Sequence, residues 1–217
     1  MSEIKLPKLR KVDPNKPKKK KILLLSDDLR MHSGIATQSK EFVVGTMHKY
    51  DWVQIGGAIK HPDEGKIFDM SESINNDFGI KDAYLKLYPI SGYGNPQTLR
   101  EILDIEKPDA IMHFTDPRFW IWLYNMEHEI RQNIPIMYYN IWDDIPDPLY
   151  NTNYYRSSDM LMSISKQTYG INKRILSKYG YEDWQTNMYH TELLAKEYLK
   201  LMIKVIQNLE SLNRNMV

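Results

Sequence analysis

From Ile22 onward the apolar residues fall into short runs separated by amphipathic stretches. "ILLLS" (22–26) is apolar without interruption until its last residue, the pattern of a strand covered on both faces in a parallel sheet. Over 35–48, Ile35, Phe42, Val43, Thr46 and Met47 return largely to one helical face. "WVQIGGAI" (52–59) predicts a second strand, with Gly56–Gly57 marking a bulge or a close backbone approach. "AYLKLYPI" (83–90) alternates and then stops at the loop signal "SGYGNP". Asn95 followed by Pro96 predicts the capped start of a helix that runs to Lys107, where Pro108 ends it. "DAIMHFT" (109–115) is the next strand, and the aromatic-rich stretch 119–133 predicts a single helix ended by Asn133. "IPIMYYNIW" (134–142) is a strong strand and "DMLMSIS" (159–165) a weaker one. A helix from near Lys166 stops at Gly180.

Strands alternating with helices predict an α/β fold: a doubly wound, mostly parallel, open sheet of the Rossmann-like kind, with helices on both faces. Ligands of such sheets sit outside the carboxyl ends of the strands. The loops beginning at Ser26, Gly56, Ser91, Thr115, Asp143 and Ser165 are therefore the places to look for chemistry. Beyond them, Leu194, Tyr198, Leu201, Val205, Leu209 and Leu212 recur at intervals of three and four. They predict a long C-terminal amphipathic helix over 190–212, roughly six turns, needing an apolar partner: its own domain, a second copy in a homodimer, or another chain.

Composition narrows this reading. A chain of 217 residues, 42% apolar and 26% charged, is ordinary for a globular protein of one or two domains. The absence of cysteine excludes disulfides, thiolate metal sites and a cysteine nucleophile. No apolar run approaches the roughly 18–20 residues of a transmembrane span, and the basic N-terminus lacks the apolar core of a secretory signal, so a cytoplasmic location is expected. Residues 1–21 carry nine Lys/Arg against Glu3 and Asp13; the segment is +7, and the net +1 of the chain leaves −6 for the rest. With Pro7, Pro14 and Pro17 it reads as a disordered or loosely attached tail, either a solvated leader or a weak contact for a polyanion such as nucleic acid or anionic lipid. Residues 22–180 form the domain proper.

Three loops hold candidate chemistry. In "SDDLRMHSGIATQSKEF" (26–42), Ser33, Gly34 and Ile35 open the first helix after His32; the loop is either a tight turn capped by Ser33 or a seat for an anion on free backbone N–H groups. It is neither G-x-G-x-x-G nor a phosphate loop with Lys-Ser/Thr. In "MHFTDPRFW", His113 and Asp116 lie at a strand's carboxyl end, where they suit a base or a sugar-hydroxyl contact; the alternative for His113 is a satisfied core position. In "YYNIWDDIPDPLY", Asn140, Asp143 and Asp144 suit hydrogen bonds to a polyhydroxylated substrate. The D-D-x-x-D string there is not a magnesium motif, because Pro146 and Pro148 forbid the helix it needs. Ser165 and Lys166, at the start of the helix pattern that stops at Gly180, complete the substrate-binding candidates with His32. Glu64 and Glu72 show E-x7-E spacing but fall in a loop between strands. No metal site is expected.

Taken together, "ILLLSDDLRMHSGIATQSKEF", "PDAIMHF", "IPIMYYNIWDD" and "YYRSSDMLMSISKQTYG" resemble the N-terminal half of a GT-B-fold glycosyltransferase, most like retaining family 4. The resemblance covers about residues 22–180. It implies an acceptor-side domain that works with a second, donor-binding domain holding a nucleoside diphosphate sugar as substrate, with no tightly bound cofactor. It also implies that Gly34 approaches the donor diphosphate, that His113 sits near the transferred sugar, and that Asp143 and Asp144 line the acceptor side. After Gly180 only 37 residues remain, too few for a donor domain, so that half is expected in a longer parent chain or in trans. The alternative reading is a non-catalytic binding or assembly module on a Rossmann-like scaffold.

Overall fold

Ile22, Leu23, Leu24 and Leu25 are at most 1% exposed, which follows from their place in a central strand with a layer on each face. The computed structural model describes residues 18–58 and 60–180; the expected helix 190–212 and nearly all of the basic segment lie outside them. Strand β1 (Lys20–Asp27) leads into α1 (Gly34–Thr46) and β2 (Tyr50–Ala58). A two-residue β3 (Phe68–Asp69), α2 (Ser71–Phe78) and β4 (Leu85–Ser91) follow, then α3 (Pro96–Glu106) and β5 (Ala110–Phe114). The second half holds α4 (Ile121–Asn125), α5 (Glu127–Ile130), β6 (Ile136–Asn140), α6 (Thr152–Arg156), β7 (Met160–Ser163) and α7 (Lys166–Ser177).

The sheet runs β3-β4-β2-β1-β5-β6-β7, parallel throughout except for β3 against β4. Setting β3 aside, this is the 3-2-1-4-5-6 order of a Rossmann-like sheet, and the direction of winding reverses between β1 and β5. Alternate residues divide between the faces. Ile22, Leu24, Trp52, Met112 and Phe114 meet Val43, Met47 and Ile74 from the α1 and α2 side. Leu23, Leu25, Val53, Ile55 and Ile111 meet Leu99, Ile102, Leu123 and Ile130 from α3, α4 and α5. At the right-hand edge Tyr138 and Leu161 pack on Tyr155 of α6 and Ile171, Ile175 and Leu176 of α7. The doubly wound α/β expectation is met.

Local differences have physical causes. Lys20 and Lys21 belong to β1, and the lysines there are anchored: Lys19 Nζ donates to Met47 O at 2.8 Å, Lys20 Nζ reaches Asp109 at 3.1 Å, and Lys21 Nζ reaches Glu106 at 2.8 Å. The single helix expected over 119–133 is instead a 3-10 turn (Pro117–Trp120) followed by α4 and α5, broken at Met126, whose φ of −107° and ψ of 15° are not helical. The stretch read as a loop between the second and third strands contains β3 and α2; α2 buries only Ile74, so it carries almost no apolar periodicity. Asn95 does cap α3, its Oδ1 accepting from Thr98 N–H at 3.0 Å. Among the described residues no helix is long and apolar enough to cross a membrane.

Candidate functional site

In an open α/β sheet the reversal of strand order, here between β1 and β5, is where a crevice at the carboxyl edge receives the ligand. Its left wall is the loop after β1. Gln54 of β2, fully buried, holds that loop from beneath: its Nε2 donates to Ser26 Oγ and to the Asp27 carbonyl, each at 2.7 Å, and its Oε1 accepts from Leu29 N–H at 3.1 Å. A buried amide is stable only when so satisfied, and here the satisfaction fixes the loop. Above it, Ser33 donates to Asp27 Oδ2 at 2.7 Å and accepts from Ala36 N–H at 3.0 Å, capping α1. The N–H groups of Gly34 and Ile35 have no partner among the described residues, as expected of a helix's first turn.

Gly34 is not required by the fold. A Cβ placed there meets nothing within 4 Å and its φ is ordinary, so the open space lies over the helix terminus rather than against protein. Gly57 differs: a Cβ there comes within 2.8 Å of the Gly92 carbonyl oxygen and of the Tyr93 ring. The predicted close approach at Gly56–Gly57 is real, and it brings the loop after β4 onto the end of β2. That loop delivers Tyr93, whose phenol is pushed up by burial and by the nearby Asp27 carboxylate.

The right wall comes from β5. Asp116 caps the 3-10 turn, accepting from Arg118 N–H at 2.9 Å and from its guanidinium. Burial alone raises the Asp116 carboxyl, but the Arg118 contacts outweigh it and hold the group below the usual carboxylate range. Phe119 stacks on Tyr93, centroids 5.0 Å apart and planes within 11°, with its other face open. Tyr93 thus links the two walls, close enough to feel the carboxylates of both Asp27 and Asp116 while it stacks on Phe119.

His113 does not reach this crevice. It is 0% exposed, stacks on Tyr138 at 4.9 Å, and both ring nitrogens are engaged, Nδ1 with Tyr124 Oη at 2.7 Å and Nε2 with Thr115 Oγ1 at 3.3 Å. Burial pushes it down to about 3, so it is neutral. Of the two sequence readings, the satisfied core position is the one its surroundings match. Ile35 likewise turns its side chain to the core and offers only its backbone.

The remaining candidates lie along the same edge, over β6 and β7. Asn140 is buried, donating to Asn172 Oδ1 at 2.7 Å and accepting from Trp142 N–H at 3.1 Å, so it shapes the loop rather than meeting solvent. Asp143 and Asp144 are exposed, and Gln167 Nε2 donates to the Asp143 carbonyl, tying this loop to α7. Ser165 caps α7 through Thr168 N–H at 3.1 Å, beside exposed Lys166. His32 is exposed on the far side of the first loop, in a separate concavity. Sequence reading did not single out Asp27, Gln54 or Tyr93; their signal is position, Asp27 at the end of β1, Gln54 in β2 beside it and Tyr93 in the loop after β4. No group of three or more His, Asp or Glu among the described residues is arranged to hold a metal ion.

No protein-family model matches the chain, and no curated protein is significantly similar to it.

Proposed function

We propose that this chain is a sugar-transferase-type domain: the acceptor-side half of an enzyme that moves a sugar from a nucleoside diphosphate sugar to a hydroxyl acceptor. A donor-binding domain, in a longer parent or in trans, completes it. The observation that carries this reading is the unhindered first turn of α1 at the reversal of strand order, where the loops after β1 and β5 both come up to Tyr93. The Gly34 and Ile35 N–H groups suit a diphosphate. Asp27 and Asp116 accept hydrogen bonds from sugar or acceptor hydroxyls, and Asp143 and Asp144 extend that acceptor surface along the edge. Phe119, Ile121, Ile145, Leu149 and Tyr150, in the segments that follow β5 and β6, are each 48% exposed or more. An apolar group of this kind suits cover by a second domain.

Calorimetric titration of the chain with uridine, guanosine and adenosine diphosphate sugars tests the reading. One of them binds weakly, and Gly34→Val abolishes that binding without lowering the melting temperature. Tight binding of NAD or ATP instead contradicts the proposal.

One observation favours a second reading: with both His113 nitrogens engaged, the crevice has no imidazole base among the described residues. A non-catalytic binding or assembly module fits that. Light scattering on the full chain and on a chain ending at Tyr189 separates the two. A dimer lost on truncation favours the module, and a monomer in both cases counts against it.

A further inference from the structure

A second concavity, with a volume of about 430 Å³, lies beside the crevice at the carboxyl ends of β1 and β2. Its floor is an ion-pair cluster. Asp28 is fully buried; its Oδ1 accepts from Arg30 N–H at 2.8 Å and Nε at 3.1 Å, and its Oδ2 from Arg30 Nη2 at 2.9 Å and His61 Nε2 at 2.8 Å. His61 Nδ1 accepts from Asp63 N–H at 3.2 Å, so Nε2 carries the proton toward Asp28. Arg30 also pairs with Asp63 at 3.2 Å and lies over the Phe68 ring at 4.3 Å, which fixes its guanidinium; Asp63 is further engaged by Lys66 at 2.8 Å.

Both carboxylates in the concavity are therefore already held by cations. What remains is of one kind. Lys60 and His32 line the same space, and neither has a hydrogen-bond or ion-pair partner among the described residues. An ammonium with three N–H donors, an imidazole N–H and the N–H groups of Arg30 not spent on Asp28 and Asp63 make a set in which donors outnumber free acceptors. Met31 and Pro62 supply apolar wall. A neutral sugar needs acceptors for its hydroxyl protons; an oxyanion with three acceptor oxygens needs donors.

We propose that this concavity binds a phosphomonoester, Lys60, His32 and Arg30 taking the phosphate oxygens while Met31 and Pro62 meet the carbon body of the ligand. Its volume falls within the ordinary range of about 300–1,000 Å³ for small-molecule sites. Resting on the sugar-transfer reading, the ligand is a phosphorylated acceptor; the phosphate site itself stands without that reading.

The test titrates the full chain with glucose 6-phosphate, inorganic phosphate, glucose, and phosphatidylcholine vesicles with and without phosphatidic acid. The proposal expects glucose 6-phosphate to bind, glucose not to, and Lys60→Met with His32→Gln together to weaken binding by about tenfold or more, as loss of charge-assisted contacts does. Lys40→Met, outside the concavity, leaves it unchanged. Binding confined to phosphatidic acid vesicles and lost in the double variant assigns the phosphate to a lipid headgroup. Glucose binding as well as its phosphate, binding undiminished by the double variant, or no binding of any phosphate probe overturns the proposal. Nucleoside diphosphate sugars are titrated into the same double variant; binding retained there leaves the sugar-transfer reading intact whatever becomes of the phosphate site.

Discussion

Ser33 joins Asp27 to the helix that follows it: the same hydroxyl donates to Asp27 Oδ2 at 2.7 Å and accepts from Ala36 N–H at 3.0 Å. A single side chain therefore ends the loop, starts α1 and sets the carboxylate at the mouth of the crevice. Ser33→Ala is expected to cost about 1 kcal/mol or somewhat more in urea unfolding, the usual loss for a cap. Ser33→Asp separates the two roles, because aspartate caps as well as serine but sets a second carboxylate beside Asp27. If Ser33→Asp is as stable as the wild type, capping is the whole of its role.

The glycines at Gly34 and Gly57 are expected to behave oppositely. Gly34→Ala places a methyl group in open space within a helix and leaves stability unchanged or slightly raised. Gly57→Ala drives a methyl group against the Gly92 carbonyl and the Tyr93 ring, both at 2.8 Å, and costs about 1–3 kcal/mol, as overpacking does. Thermal melts of the two variants check this. Equal melting temperatures would remove the claim that the loop after β4 is pinned to β2.

Acid stability should fall in two windows. His113, pushed down to about 3 by burial, is neutral in the fold; its contribution is complete above its ordinary value of 6.5 and is lost as pH falls toward 3. Glu106 lies at the opposite edge of the sheet. Burial alone raises its carboxyl, but Lys21, Tyr88 and Lys86 outweigh that and hold it at about 2. Its Oε1 accepts from Tyr88 Oη at 2.6 Å and its Oε2 from Lys21 Nζ at 2.8 Å. That contribution is complete above 4.5 and is lost as pH falls from 4.5 toward 2, about 3 kcal/mol in all. Unfolding at stepped pH should show His113→Phe flattening the upper window and Glu106→Gln the lower one. Glu106→Gln also costs about 3 kcal/mol at neutral pH, since two lysines lose their counter-charge. An unchanged slope in either variant refutes the assignment for that residue.

The architecture was legible because the sheet is parallel: strands buried on both faces must be apolar throughout, and "ILLL" and "IMYY" can hardly be read otherwise. Asn95–Pro96 fixed the start of α3 by a local rule. What escaped were elements stabilised by few apolar contacts, such as α2 with Ile74 alone, and the break at Met126, which depends on how the aromatic stretch packs on β5. At the site, Ser33 and Asp116 were visible as polar residues at strand ends. His113 was ambiguous because a strand residue near the edge can face either the crevice or a helix layer; Trp120 and Tyr124 fold back over it from the elements just after β5 and Tyr138 stacks on it from β6, a packing that no local pattern announces. Gln54 was hidden because its partners Ser26 and Leu29 lie 28 and 25 residues away.

The central claim is that the β1–β5 switch point receives a nucleoside diphosphate sugar. It is tested most directly by following backbone amide resonances of the labelled chain during titration with uridine, guanosine and adenosine diphosphate sugars. The account predicts that one of them shifts the amides of Gly34, Ile35 and Asp116 together, and that these shifts vanish in Gly34→Val. Saturating nucleotide sugar that leaves all three amides unmoved would contradict it.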